Sequence, residues 1–321
     1  MSDSEENFTP QATADGSFTF VSHEFGESFH SHFGAKQESF LKFVAPTQLA
    51  TSAHKPVLRL LDICYGLGYN TAAALQTIWA VNPSCNVELI GLELNPSVPQ
   101  AAIAHHLFDN WNYEYTAILT QLAFEHQVQT DRLKARLLIG DARTSIGLVH
   151  QLDFQADAIF LDPFSPPQCP HLWTVEFLKL VSQCLHADGI LATYSCAAAV
   201  RTALLAAGLQ IGSTPPVGRR SPGTVAAYPR DGEQISTGKV AVSFSPLPPI
   251  PFAPYPLLPP LSQEEKEHLL TRAAIPYRDP QLKSPADVIV MRRRQEQQTC
   301  LLEPTSRWRK RWLAGNEELI I

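Results

Sequence analysis

VLRLLDICYGLGYN, at residues 57–70, places a short apolar run, two glycines and the start of an alanine-rich segment next to one another. The apolar run over 57–63 is typical of a strand buried on both faces, and the segment 70–81 predicts a helix. Glycine between a buried strand and a helix lets the backbone approach a bound nucleoside closely, although a tight turn alone would also require it. The third glycine of a dinucleotide fingerprint would fall at Thr71, so a dinucleotide phosphate site fits poorly.

Strands and helices continue to alternate after this unit. Apolar runs predict further strands at 87–93, 133–139, 156–161 and 189–195, with helical patterns between them. Such an order requires right-handed crossovers, so we expect an α/β fold with a mainly parallel, doubly wound sheet. Ligands of these sheets bind beyond the carboxyl ends of the strands, which makes the residues just after each strand the candidate site.

Acidic residues follow each of the next three strands. Glu93 follows the second strand, where a carboxylate can accept hydrogen bonds from both ribose hydroxyls. Asp141 follows the third, where it can accept from the amine of an adenine or cap the next helix. Asp162, Pro163 and Phe164 follow the fourth strand. A helix cap or a solvated acid explains any one of them. The glycine turn after the first strand and an acid after each of the next three together look like the S-adenosylmethionine site of a Rossmann-like class I methyltransferase.

The segment from Asp162 to Phe164 resembles the acid or amide, proline and aromatic residue that amine methyltransferases often carry at this place, which implies an amine as methyl acceptor. A primary amine is mostly protonated at neutral pH, and it needs a free lone pair to attack a methyl group. Asp162 can hold the amine N–H groups and accept the proton, directly or through water. Phe164 can stack on a planar base or form the wall of the methyl-transfer channel, and ordinary core packing is the alternative.

Several longer stretches resemble the MnmC-type tRNA methyltransferases over about residues 16–230. They are DICYGLGYN, LDPFSPPQCPHLWTVEFL, YSCAAAVRTALLAAGL and VGRRSPGTVAA, together with the N-terminal FTFVSHEFGESFHSHFGAKQESFLKFV. The resemblance implies that the chain uses S-adenosylmethionine to convert 5-aminomethyl-uridine, usually on a 2-thiolated base, to 5-methylaminomethyl-uridine. The base is the wobble position of tRNA, so the implied partner is the anticodon loop.

The resemblance also implies roles for individual residues. Asp162 would be the catalytic acid and base. The cofactor would be held by the glycine turn and by the residues after strands two and three, namely Asp62, Gly66, Gly68, Tyr69, Asn70, Glu93, Asp141 and Ala142. The substrate would be contacted by Phe164, His30, Arg219 and Arg220, although a surface histidine and a solvated arginine pair are the alternatives for the last three. Cys64 stands where many methyltransferases have glycine, which tightens the turn.

Composition limits the class of protein. The charge of the chain is −6, from 25 Lys and Arg against 31 Asp and Glu, which argues against a general nucleic-acid binder. The acidic excess is confined to residues 1–261, because residues 262–321 are mildly basic. No apolar run approaches the roughly 18 residues of a membrane span, and the first residues lack the pattern of a signal peptide. With six cysteines but no CxxC, HExxH or Cys/His cluster, we expect a soluble, cytoplasmic protein that needs no metal.

The pattern along the chain predicts five parts. Residues 1–15 are expected to be disordered, 16–50 to form a small N-terminal segment, and 51–245 to form the Rossmann-like domain. Eight prolines at 246–260 predict an extended linker to a C-terminal appendage at 261–321. The basic tail of this appendage mixes arginine with tryptophan, which suits phosphate contacts and base stacking, or a helix folded back on the acidic body.

Other functions fit part of the pattern. A methyltransferase or aminopropyl transferase for a free small amine would use the same Asp162-Pro163-Phe164 segment. A non-catalytic adapter that binds a nucleoside would use the proline-rich segment for docking, but it would not need the acid. The length leaves no room for the flavin-dependent oxidase domain of bifunctional relatives, so the expected form carries the methyltransferase alone and receives an aminomethyl substrate from other enzymes.

Overall fold

The computed structural model describes residues 8–218, 221–229 and 258–317. Its N-terminal segment contains two short antiparallel hairpins and two short helices, with a π-helix at Ser39–Val44 between the helices. The hairpin strands are β1 (Gln11–Ala12), β2 (Phe18–Thr19), β3 (Val21–Ser22) and β4 (Glu27–Ser28), and the helices are α1 (Ala35–Glu38) and α2 (Leu49–Ser52).

Residues 8–15 are ordered, whereas the sequence predicts disorder over residues 1–15. Residues 1–7 lie outside the described ranges. Phe8 is buried, and its ring lies 5.2 Å from that of Phe20. The Asp15 carboxylate accepts the N–H groups of Ser17 at 3.0 Å and of Gln37 at 2.7 Å. This order was not predictable from local sequence, because Phe8 and Asp15 are held by residues further along the chain, among them Phe20 and Gln37.

The central sheet has eight strands in the order β11-β12-β10-β9-β5-β6-β8-β7. The five inner strands β8, β6, β5, β9 and β10 are parallel, while β7, β12 and β11 run antiparallel to their neighbours. The strands are β5 (Val57–Ile63), β6 (Asn86–Glu93), β7 (Gln127–Gln129), β8 (Leu133–Ile139), β9 (Ala156–Leu161), β10 (Leu185–Thr193), β11 (Gln210–Thr214) and β12 (Gly223–Ala227). The predicted doubly wound, mainly parallel sheet is confirmed.

β5 is buried on both faces, as its apolar run predicts. Leu58 and Leu60 belong to one apolar cluster, and Leu61 and Ile63 belong to the other. Helices cover both faces: α3 (Tyr69–Val81), α4 (Ser97–Ala104) and α5 (Tyr113–Glu125) on the first, and α6 (Ala142–Gln151), α7 (Val175–Gln183) and α8 (Ala198–Ala206) on the second. Within the described ranges, no helix combines the length and the apolar character needed to cross a bilayer.

The C-terminal residues pack on the second face of the sheet. They form α9 (Gln263–His268), α10 (Ala286–Thr299) and α11 (Thr305–Glu317). Tyr277 and Ile289 are part of the apolar cluster that α7 and α8 cover, and the Val175 N–H donates to the Tyr277 carbonyl at 3.1 Å. The predicted appendage is therefore docked on the body through its described residues. Residues 230–257, which include most of the predicted linker, lie outside the described residues.

The basic tail folds back on this segment. The Trp308 ring is buried and stacks on His268 at 4.7 Å, and Arg311 pairs with Glu267 at 3.0 Å. Trp308 is thus not placed to stack on a base, and the alternative of a helix folded back on the chain is the one observed. Arg307, Arg309 and Lys310 are exposed and make no ion pair within the described residues.

Arg201 joins the C-terminal segment to α8. Its side chain is 2% exposed, and it donates to Glu265 of α9 at 2.7 Å and to the Thr224 hydroxyl at 3.0 Å. Removing one partner of a buried ion pair leaves the other charge without compensation. We therefore expect Glu265→Gln to lower the free energy of unfolding by about 3 kcal/mol at neutral pH, measured by denaturant melts. Glu264→Gln, one residue away on an exposed position, is the matched control and should leave stability unchanged.

The same pair predicts a pH dependence. Burial raises the pKa of Glu265, but hydrogen bonds from Ser213 and Arg201 outweigh burial, so the pKa lies below its usual value of 4.5. A carboxyl whose pKa is lower in the folded state stabilises the fold above its unfolded pKa, and the contribution is lost as the pH falls through the folded pKa. The Tm difference between Glu265→Gln and the wild type should therefore shrink below a pH of about 4.5. A difference that stays constant down to low pH would contradict this role.

Candidate active site

A cavity of about 470 Å³ lies at the carboxyl ends of β5, β6 and β9, where the strand order reverses. Cavities of this size are typical of small-molecule sites. One wall is formed by the turns after these strands, at residues 64–67, 93–95 and 162–165. The opposite wall is formed by the N-terminal segment, chiefly residues 27–33 of the second hairpin and the stretch after it.

The turn after β5 has a left-handed backbone at three positions. The φ angles are +66° at Cys64, +57° at Gly66 and +98° at Gly68. A Cβ on Gly68 would lie 2.7 Å from the Tyr65 hydroxyl, so glycine is required there for space as well as for conformation. Cys64 has a left-handed backbone, which glycine adopts most easily. This agrees with the glycine that many methyltransferases have at the same position.

Glu93 connects the glycine turn to the end of β6. Its carboxylate is buried and accepts the N–H of Gly66 at 2.8 Å and that of Asn95 at 2.9 Å, one on each oxygen. The side chain also lines the cavity. Each carboxylate oxygen can accept more than one hydrogen bond, so Glu93 can hold the turn and still accept from ribose hydroxyls.

Asp162 lines the cavity immediately after β9. Its N–H donates to the Ile63 carbonyl at 3.0 Å, and its carboxylate accepts from the Asn70 amide at 3.0 Å. The carbonyl oxygen of the Asn70 side chain is buried and has no hydrogen-bond partner among the described residues. The predicted catalytic acid therefore lies beside the glycine turn and is held there by Asn70.

Asp62 lies beneath the turn, and it is not among the residues that line the cavity. The side chain is fully buried and accepts from the Thr71 hydroxyl at 2.8 Å. Burial, with a smaller contribution from the Glu93 charge, raises the pKa of Asp62 to about 7. The structure gives Asp62 a role in supporting the start of α3, in place of the direct cofactor contact implied by the sequence.

Four hydrogen bonds hold the loop that contains Phe164. Tyr194 donates to the Pro163 carbonyl at 2.9 Å, and Trp173 donates to the Phe164 carbonyl at 2.8 Å. Ser165 donates twice to Glu27 of the N-terminal segment, at 2.9 Å from the backbone and 2.5 Å from the hydroxyl. The loop is therefore held by Glu27, which precedes the sheet in the chain, and by Trp173 and Tyr194, which follow the loop.

The Phe164 ring packs against two rings of the N-terminal segment. It stacks on Phe25 with centroids 4.5 Å apart and meets the edge of Phe29 at 5.1 Å. All three rings line the cavity, so Phe164 forms part of an aromatic wall. Phe25, Phe29 and Glu27 were missed by sequence reasoning, and the only signal was the density of aromatic and acidic residues in FVSHEFGESFHSHFG.

His30 also lines the cavity, on the side of the N-terminal segment. It is 7% exposed, so it is not the surface histidine considered as the alternative. Its ring meets the edge of Tyr69 at 5.2 Å. Tyr69 itself is buried behind the cavity wall and donates to the Leu107 carbonyl at 3.2 Å, which gives it a structural role.

Asp141 caps α6 and pairs with an arginine. It accepts the N–H of Arg143 at 2.9 Å and the guanidinium at 2.7 Å. Asp141 thus caps α6, which is one of the two roles predicted for it, and neither Asp141 nor Ala142 is among the cavity-lining residues. The pair Arg219 and Arg220 lies outside the described residues.

Two thiols face the cavity. Cys64 lies in the glycine turn and Cys169 lies after the Phe164 loop, and both line the cavity. Burial raises the pKa of Cys169 to about 12 and raises that of Cys64 well above its usual value. Both side chains are therefore neutral thiols at physiological pH.

One group of possible metal ligands is found within the described part of the chain, away from the cavity. It consists of Asp157, His186 and Asp188. The Lys55 ammonium already pairs with Asp157 at 2.7 Å and Asp188 at 3.1 Å. The geometry is that of a surface ion-pair cluster.

The cavity fits an adenosyl cofactor. Gly66 allows close approach to the turn, and Glu93 keeps acceptor capacity for hydroxyls. These residues would hold the nucleoside and the chain attached to it, with Asp162 at the same end of the sheet.

Comparison with known proteins agrees with this fit. Residues 105–229 match the family described as S-adenosyl-L-methionine-dependent methyltransferase. The crystal structure of MNMC2 from Aquifex aeolicus superposes with a TM-score of 0.75 at 31% identity, covering 93% of this chain and 87% of that one.

Curated relatives are longer. A protein of Methanocaldococcus jannaschii with no assigned function is 31% identical over 67% of this chain and 58% of its own length. The tRNA 5-methylaminomethyl-2-thiouridine biosynthesis bifunctional protein MnmC of Ralstonia nicotianae is 29% identical over 69% of this chain, which spans only 34% of that protein.

The matches agree with the site predicted from the residues that follow each strand. They favour an S-adenosylmethionine-dependent enzyme over the non-catalytic adapter. The chain belongs to the MnmC family of S-adenosylmethionine-dependent methyltransferases.

Proposed function

We propose that the protein transfers a methyl group from S-adenosylmethionine to the amine of 5-aminomethyl-(2-thio)uridine at the tRNA wobble position, giving the 5-methylaminomethyl base. The observation that carries the proposal is Asp162, which lines the cavity beside the glycine turn. Gly66, Gly68 and Glu93 would hold the cofactor, and Asp141 would contact its adenine end. tRNA modification also implies a cytoplasmic location.

The charge of the cavity suits this substrate. Its described lining contains five carboxylates and no lysine or arginine, the carboxylates being Glu24, Glu27, Glu38, Glu93 and Asp162. An acidic cavity favours a cationic sulfonium and an alkylamine over a substrate that carries its own carboxylate. The free aminomethyl form is thus favoured over a carboxymethylated precursor.

The chemistry requires a neutral amine in line with the methyl group. The bound S-adenosylmethionine supplies an activated methyl on sulfur. Asp162 would accept the amine N–H groups, direct the nitrogen lone pair to the methyl carbon and take the proton released as the C–N bond forms. The bond from the methyl carbon to sulfur would break in the same step, with S-adenosylhomocysteine as the other product. The Asn70 amide fixes the Asp162 carboxylate, so its orientation is set before the substrate binds.

The aromatic wall contributes in a second way. The rings of Phe25 and Phe29 both pack on Phe164, and the three keep that side of the cavity apolar. Exclusion of water there strengthens the interaction between Asp162 and the amine. The same rings offer a planar surface to a uridine base, which is the role predicted for Phe164.

Contact with RNA would come from the C-terminal helices. α10 packs on residues 170–173, and Leu172 of that turn lines the cavity. Arg294, Arg307, Arg309 and Lys310 are exposed on α10 and α11 without an ion pair in the described part of the chain. These four side chains, called the basic surface below, are suited to phosphate contacts. Curated relatives carry a tRNA modification in their names.

Asp162→Ala tests the catalytic role. We expect it to retain S-adenosylmethionine binding while the turnover on aminomethyl-tRNA falls by about 10²–10⁴-fold, because the variant has no proton acceptor at this position. Mass analysis of wobble nucleosides gives the turnover, and calorimetry gives the cofactor affinity. Asp131→Ala, at an exposed position, is the control.

Normal turnover in Asp162→Ala would remove Asp162 from the mechanism. Running the assay with the free 5-aminomethyl-uridine nucleoside and with a simple diamine separates the alternatives. Methylation or aminopropylation of the free amine at the rate of tRNA would favour the small-amine enzyme and contradict the tRNA substrate.

The basic surface can be tested without disturbing the packed tail. The triple variant Arg307→Gln, Arg309→Gln, Lys310→Gln keeps Trp308 in place. We expect weaker tRNA binding and a shallower salt dependence, by ~0.7 in the log–log slope for each phosphate that the variant no longer neutralises, with cofactor affinity unchanged. Filter binding over a salt series measures both the tRNA affinity and the slope.

A variant with the same charge change elsewhere is the matched control. Lys134→Gln, Arg136→Gln, Lys179→Gln alters exposed residues of β8 and α7. Equal tRNA affinity in the two triple variants would show that the basic tail does not bind RNA.

A further inference from the structure

We propose that Arg143 and Asp279 are positioning residues that fix the Asp141 carboxylate for the adenine end of the cofactor. The C-terminal segment would thereby take part in cofactor recognition, although it lies far along the chain from the glycine turn. The inference rests on the cofactor contact that the proposed function gives to Asp141.

Arg143 is held between two carboxylates. Its guanidinium donates to Oδ1 of Asp141 through Nε at 3.2 Å and to Oδ2 through Nη2 at 2.7 Å, a two-pronged contact that fixes the plane of the carboxylate. The other nitrogen, Nη1, donates to Asp279 at 3.3 Å and to the Ser284 carbonyl at 3.0 Å. One side chain thus links the turn after β8 to the C-terminal segment.

Asp279 is a rigid support for this link. Its carboxylate is fully buried and accepts the Ser284 N–H on both oxygens, at 3.1 and 3.2 Å. Its own N–H donates to Glu176 at 2.8 Å, which anchors it to α7. A buried carboxylate held from several sides cannot turn away, so Arg143 is held as well.

Asp141 is close to the cavity, although it does not line it. The Gly140 N–H donates to the Glu93 carbonyl at 2.8 Å, so the turn before Asp141 is tied to the residue expected to bind ribose. The charges of Asp141 and Arg143 also act on the Cys169 thiol, which lines the cavity. The Asp141 side chain remains 42% exposed and can accept a further donor.

A simple helix cap does not need this arrangement. The contact from Asp141 to the Arg143 N–H already satisfies the start of α6. The guanidinium and its buried support add control over the orientation of the carboxylate. A fixed orientation is needed when the exposed oxygen of a carboxylate has to accept a hydrogen bond from a rigid donor, such as the amine of a planar base.

Recognition of the adenine amine gives a direct test on the full chain. Calorimetry measures the affinities for S-adenosylhomocysteine and for its analogue with unsubstituted purine in place of adenine. We expect the wild type to prefer the adenine form by about 10- to 100-fold, as for a hydrogen bond to a charged group. Asp141→Ala should abolish the preference, and both Arg143→Lys and Asp279→Asn should reduce it at least about 5-fold.

Glu265→Gln is the matched control, because it breaks another buried arginine–carboxylate pair that holds the same C-terminal segment. It should lower the Tm and keep the full preference for adenine. Arg143→Lys keeps the charge beside Asp279, so it supplies a folded variant even where Asp279→Asn is unstable.

The outcomes separate two failures. A preference that survives both Arg143→Lys and Asp279→Asn, but not Asp141→Ala, would overturn the positioning role alone. A preference that survives Asp141→Ala would overturn the adenine contact on which the inference depends, whereas methylation of aminomethyl-tRNA would still be decided by the Asp162 experiment.

Discussion

Two peptide N–H groups, one in the glycine turn and one after β6, donate to the same buried carboxylate, that of Glu93. Because the turn has a left-handed backbone at three positions, it needs such an anchor to hold one conformation. The turn carries Asn70 at the start of α3, and Asn70 holds Asp162. The position of the candidate catalytic acid thus depends, through two contacts, on a residue expected to bind the cofactor.

The other half of the cavity comes from residues that precede the first strand of the sheet. The second hairpin is held to the Phe164 loop by Glu27 and Ser165, and by the stacking of Phe25 on Phe164. Neither the sheet nor the N-terminal segment encloses the cavity alone. Formation of the site therefore requires the hairpin to be docked, and a change that loosens it would affect cofactor and substrate together.

The sequence was sufficient to predict the inner strands and the mainly parallel sheet from local periodicity, and a general rule about strand ends then pointed to the residues after each strand; it did not predict the order of the strands within the sheet. It did not distinguish lining residues from supporting ones. Asp62 and Tyr69 lie in the same motif as Gly66, yet their side chains point to Thr71 and to the Leu107 carbonyl. The link from Asp141 to Asp279 was not predictable, since it joins residues that have no periodic relation in the chain.

A cavity that binds a methylating agent is a hazard for any nucleophile in its wall. Cys64 and Cys169 are the two sulfur nucleophiles among the described lining residues, and a thiolate at either position would compete with the substrate for the methyl group. Burial keeps both protonated, which suppresses their nucleophilicity without removing them from the wall. The packing that shapes the site therefore also protects the protein from alkylating itself.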